Sequence, residues 1–174
     1  MRLIPRPLAT AYPPYFGLYV GLVPENDILN VLVKQADATV ELLAPLGDDD
    51  ALHRYAPGKW SIKEMLGHLT DSERLFVYRA MSFARGDATD LPGMDEDAWV
   101  DGADFDRVPL VDLLMEFRTV REGTVRFFDN LDDAAYARRG TANGLTFGVN
   151  STPWLVAGHE RHHLNVLRER YLVS

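Results

Sequence analysis

Apolar residues recur along most of this chain at intervals of three and four, the period of a helix with one buried face. Four segments carry the pattern. The first runs from about Glu25 to Leu46, with Ile28, Leu32, Gln35, Thr39, Leu42 and Leu43 on one side and Gly47 placed to end it. The second opens on Ser61-Ile-Lys-Glu64, the spacing of a capping box, carries Ile62, Met65, Leu69, Phe76, Ala80 and Phe83 as its stripe, and stops at Arg85-Gly86. The third starts at Pro109, a residue suited to the first helical position, and continues through Leu113, Phe117, Val120 and Phe128 towards Leu131. Thr152-Pro153, a capping hydroxyl followed by the same kind of proline, begins a fourth that reaches about Leu172. Four amphipathic rods of this length predict an all-α four-helix bundle.

Two connections exceed the roughly 2–8 residues usual in bundles: Asp87–Val108, and Arg138–Ser151 with its Ala142-Asn143-Gly144 turn signal. Such connections are crossovers or site-covering loops. The first is rich in acids (Asp95, Glu96, Asp97, Asp101, Asp104, Asp106) and reads as a solvated acidic loop. Ahead of the rods, five prolines among the first 24 residues interrupt any secretory-type apolar run. With Tyr12, Tyr15, Phe16 and Tyr19 seeking cover, residues 1–23 read as an ordered arm lying over the bundle of residues 24–174.

The length, 174 residues, suits one core, and 47% hydrophobic with 25% charged residues is an ordinary globular mixture. Eighteen Lys and Arg against 26 Asp and Glu leave a formal charge of −8, the wrong sign for gripping phosphate backbones or anionic lipid. Neither a nucleic acid nor a membrane is expected as partner, despite the local basic patch of Arg161, Arg168 and Arg170. Cysteine is absent, which fits a cytoplasmic location and excludes a thiolate metal site or a cysteine nucleophile.

Five histidines remain, three of them in His159-Glu-Arg-His162-His163 on the fourth rod. His159 and His163, four apart, project from one face, and that face coincides with the apolar stripe of Leu155, Val156, Val166, Leu167 and Tyr171. On the second rod His68 lies beside the core stripe with Met65, Leu69 and Ser72. Three inward imidazoles without partners would be costly to bury, whereas one divalent cation satisfies all three. The expected ligands are therefore His68, His159 and His163, with His162 an i,i+3 substitute for His163 and His53 outside the site.

The stretches GKWSIKEMLGHLTDSE (58–73), GMDEDAW (93–99) and GHERHH (158–163) resemble, in order and spacing, those of the DinB/YfiT-like superfamily over about residues 20–172. The resemblance implies a bundle with a long crossover, a divalent metal on His68, His159 and His163, and a homodimer as an option. Known members include S-transferases that use a low-molecular-weight thiol such as bacillithiol or mycothiol, and a thiol-dependent maleylpyruvate isomerase.

Three neutral imidazoles leave the cation its charge and open positions, the arrangement of a catalytic site that activates water or a thiol. Zinc is the first choice on histidine ligation; nickel, iron and manganese also accept imidazoles. Any sulfur chemistry needs a thiol cosubstrate, because the chain supplies none. Asp71, one turn after His68, and Glu160, beside His159 but about 100° away around the helix, are the candidate catalytic carboxylates, Asp71 alternatively orienting a ligand. Glu73 calls for an arginine, Arg121 or Arg79, and Arg121 is a candidate to hold a substrate carboxylate. The expected function is thus transfer to, or hydrolysis of, a small-molecule substrate. The competing reading is a non-catalytic metal-binding or dimerising bundle that acts as an interaction module.

Overall fold

The computed structural model describes residues 1–172 and contains the four long helices that the periodicity predicts. A short helix α1 (Gly17–Gly21) lies within the N-terminal arm. Helix α2 (Ile28–Leu43) is capped by Asp27, whose carboxylate accepts from the Asn30 amide. The capping box of α3 (Ile62–Ala84) is complete: Ser61 Oγ accepts from the Glu64 amide at 3.0 Å, and Glu64 Oε2 accepts from the Ser61 amide at 2.7 Å. Helix α5 (Leu110–Asp129) has Pro109 as its N-cap, one residue outside the predicted first helical position. Between α3 and α5 lies α4 (Glu96–Ala103), so the acidic connection is partly helical. A one-turn α6 (Asp133–Tyr136) follows α5.

The second long connection folds into a β-hairpin, β1 (Arg139–Ala142) paired antiparallel with β2 (Leu145–Gly148), whose turn is the Asn143-Gly144 signal and whose strands the sequence pattern does not predict. Asn143 (φ 54°) and Gly144 (φ 69°) take left-handed conformations at its tip, the pair a tight hairpin turn demands. Helix α7 (Thr152–Val166) passes into a π-helical turn at Leu167–Tyr171. The predicted Thr152 cap is not formed. Ser151 already has helical angles where a cap should be extended, and its hydroxyl donates to the Gly148 carbonyl at 2.7 Å.

Two apolar clusters make up the core. Leu29, Leu32, Phe83, Phe128 and Trp154 belong to one; Leu43, Leu66, Phe117, Leu164 and Leu167 belong to the other. Along α2 and α7 the first cluster precedes the second, and along α3 and α5 the order reverses. The helices therefore run up, down, down, up, and the parallel pair α3–α5 requires the long crossover that carries α4. Between the clusters each of the four helices contributes a buried polar residue, Gln35, Glu73, Arg121 and Glu160.

The arm packs along α7. Gly158 faces it so closely that a Cβ would overlap the Tyr19 carbonyl and Cα, which only glycine avoids. No helix among the described residues is long and apolar enough to cross a membrane. Gly158→Ala should push the arm off α7 and cost about 1–3 kcal/mol, as overpacking does. Thermal unfolding should show a fall of roughly 2–4 °C per kcal/mol, with residues 1–23 becoming cleavable by protease before the bundle melts.

Candidate metal centre

His68 stands on α3, two turns after the capping box, while His159 and His163 stand one turn apart on the face of α7 turned towards it. The three Nε2 atoms converge. His159 Nε2 lies 3.2 Å from His68 Nε2 and 3.1 Å from His163 Nε2, and all three fall within 4.8 Å of one another. A neutral imidazole nitrogen is either a donor or an acceptor, so His159 Nε2 cannot make two good hydrogen bonds in these directions. A cation suits the cluster better. Nitrogens about 2.0–2.1 Å from a tetrahedral ion stand roughly 3.3–3.4 Å apart, close to the spacings seen here.

Aromatic rings hold the imidazoles in place. The ring of Trp60 lies 4.7 Å from that of His68 and 6.4 Å from that of His163, and the Trp60 carbonyl accepts from Tyr171 Oη at 2.7 Å. Tyr19, from the arm, meets His159 edge-on at 5.4 Å, and Phe76 does so at 5.8 Å. Burial strips the imidazoles of water and lowers their basicity: His68 falls to about 4, His163 to about 3, and His159 well below the ordinary histidine value. All three are neutral at pH 7, the form that binds a metal. His162 is exposed at the cavity's edge, edge-on to Tyr19, and His53 is exposed beside Tyr171, so neither joins the cluster.

The cluster forms one wall of a cavity of about 370 Å³. Phe16, Tyr19, Leu75, Phe76 and Phe147 supply much of the remainder, with Ser72, Arg79, Glu96 and Asn143 as polar points. Ser72 Oγ is 3.5 Å from His68 Nε2. The cavity thus draws on the arm, α3, the crossover, the hairpin and α7.

The two expected catalytic carboxylates are placed elsewhere. Asp71 pairs with Arg74 at 3.1 Å and does not line the cavity. Glu160 is fully buried on the other side of α7, accepting from Thr39 Oγ1 at 2.6 Å and Gln35 Nε2 at 3.0 Å and pairing with Arg121 Nη2 at 2.9 Å. Its angular offset from His159 is the cause: about 100° of helix turns it into the polar layer. Arg121 is likewise unavailable to a substrate. It bonds Glu73 through Nε (2.9 Å) and Nη2 (2.8 Å), and Nη1 donates to the Leu32 carbonyl at 2.9 Å. Burial raises the Glu160 carboxyl against the opposing pull of Arg121.

Sequence reasoning assigned no site role to Glu96, Ser72 or Arg79. A helical face shared with His68 could have found Ser72 and Arg79, at i+4 and i+11. Glu96 carries no such signal, because a crossover acid looks the same whether it faces water or a cavity.

The model of the DinB superfamily matches residues 32–167, and the chain belongs to that superfamily. Among solved structures it is similar to YfiT from Bacillus subtilis, described as a probable metal-dependent hydrolase with an unusual four-helix bundle topology. The TM-score is 0.72 at 17% sequence identity, covering 84% of this chain and 87% of that one. No match is found among curated proteins.

Two outcomes follow from the buried groups. Arg121→Met leaves two carboxyl groups in the core without their cation and should cost about 3–5 kcal/mol at pH 7. Acid should relieve part of that loss as the Glu160 carboxylate, already raised by burial, takes up a proton, visible in denaturant midpoints at pH 7 and pH 5. In metal-free wild type the histidines act in the opposite sense. Their folded values lie below the ordinary value of 6.5, so the unfolded chain takes up protons first. Their contribution is complete above pH 6.5 and is lost as pH falls towards 4, a slope that His163→Gln should reduce.

Proposed function

We propose that this DinB-superfamily protein is a metal-dependent enzyme that hydrolyses a small molecule or transfers a thiol to one, with His68, His159 and His163 holding the metal. The observation that carries this reading is the convergence of three neutral imidazoles on the wall of an open cavity instead of inside a closed cage. When bound, a divalent metal there would supply Lewis acidity towards a nucleophile at neutral pH. Zinc suits three imidazoles, and nickel, iron and manganese are the other candidates.

The chain's own residues do the rest. Trp60, Tyr19 and Phe76 fix the imidazole rings and keep bulk water from their flanks. Glu96, the carboxylate among the cavity-lining residues, takes the proton-accepting role expected of Asp71 or Glu160. A thiol nucleophile must come from outside, since the chain has no cysteine.

Elemental analysis of purified protein should find about one transition metal per chain in wild type and almost none in His159→Ala. Turnover is read on an ester and amide panel, and on monochlorobimane with added small thiols. Metal-dependent release without thiol assigns hydrolysis, and thiol-dependent conjugation assigns transfer. In either case Glu96→Gln should lower the rate about 10²–10⁴-fold. Metal in neither protein after reconstitution, or no turnover across the panel, would contradict the proposal and favour a non-catalytic bundle.

A further inference from the structure

The cavity beside the histidines is lined by a cation, Arg79, that pairs with no carboxylate among the described residues, although Glu96 lines the same cavity. Arg79 Nη2 donates to the Pro92 carbonyl at 2.7 Å, while its Nε is enclosed without a hydrogen-bond partner. Two other arginines of the long helices are treated differently. Arg74, five residues earlier on α3, pairs with Asp71 and Glu116, and the buried Arg121 pairs with Glu73 and Glu160. Partial burial without a counter-charge makes Arg79 less basic than a free guanidinium. The side chain is half-buried: Nε is closed off by protein, and the N–H groups left for an acceptor from the cavity are those of Nη1 and the second N–H of Nη2.

Its position says where that acceptor sits. Arg79 follows His68 by eleven residues, and at about 100° per residue the two directions differ by only about 20°. Both face the cavity from the same side of α3, roughly 16 Å apart along the helix. Leu75 and Phe76 lie between them on that face, and Phe16 and Phe147 close the cavity from other elements. One end therefore has the three histidines with Ser72 beside them, the stretch along α3 from there is mainly apolar, and the far end has a planar guanidinium with Nη N–H groups to offer. That fork matches a carboxylate. With a net charge of −8 the protein as a whole repels anions, so an anion that does bind needs such a specific point.

We propose that Arg79 anchors the carboxylate of an elongated, largely apolar substrate whose reacting group lies at the three histidines. The inference rests on the proposed function only for which end reacts; the anchor itself requires no metal.

The test uses wild-type protein stripped of metal with a chelator, so that a carboxylate cannot bind at the histidines through an ion. Calorimetry compares 4-phenylbutyrate with its neutral amide, 4-phenylbutyramide, in wild type, Arg79→Met and Arg79→Lys. Wild type should bind the acid at least about tenfold more tightly than the amide. Arg79→Met should lose that preference, and Arg79→Lys should keep part of it. Equal affinity for acid and amide in wild type would overturn the proposal, as would a preference that survives Arg79→Met, or no saturable binding up to about 10 mM. The wild-type comparison stands even if a variant fails to fold. An acid preference in a protein that never takes up metal would leave the anchor in place and remove the metal reading instead.

Discussion

Arg121 sits at the middle of the bundle, 2% exposed, between the carboxylates of Glu73 and Glu160. Its Nη1 holds the Leu32 carbonyl of α2, Glu73 belongs to α3, Arg121 itself to α5 and Glu160 to α7, so one guanidinium touches all four long helices. Apolar packing tolerates sliding by part of a turn, whereas charge-assisted hydrogen bonds in a dry interior do not. The layer therefore sets the depth at which the helices meet. That depth decides the site, because His68 is five residues from Glu73 and His159 is adjacent to Glu160.

With the register fixed, the histidines are brought together at a cost that the surroundings maintain. Burial keeps them neutral, and the aromatic rings of Trp60, Tyr19 and Phe76 leave them little freedom to turn away. Two of those rings are themselves held from a distance. Tyr171, at the π-helical end of α7, anchors Trp60, and the missing side chain of Gly158 lets the arm bring Tyr19 close. A preorganised cluster of neutral donors beside an open cavity is what metal-assisted chemistry needs, since little reorganisation remains for the moment of reaction.

Much of this was legible in the sequence, where the signal is local. Ser61 and Glu64 announce a helix start by spacing alone, and a pair of histidines four apart on an apolar stripe must point inward together. Assigning His68 as their partner needed only that its rod present the same face, which the structure shows. What failed to show depends on depth and on neighbours. Glu160 reads as a neighbour of His159, yet its side chain leaves by another face into the polar layer. Arg121 reads as an inward cation, and only the packing of α5 at one depth against α3 and α7 shows that its hydrogen bonds are already taken. Asp71 shares a helix turn with the site but turns to Arg74 at the surface. The hairpin's turn is legible in Asn143-Gly144, but its strands are not, because they are four residues each and are stabilised by the arm and Phe83, from distant parts of the chain.

The most direct measurement of the central claim is X-ray absorption at the edge of the metal in the reconstituted protein. Three imidazole nitrogens at about 2.0–2.1 Å, with the outer-shell scattering of histidine rings, is the result that this geometry predicts for zinc. Any remaining light scatterers should belong to exchangeable ligands. A shell with one imidazole or none, or one dominated by carboxylate oxygens, would contradict the convergence of His68, His159 and His163 on one ion.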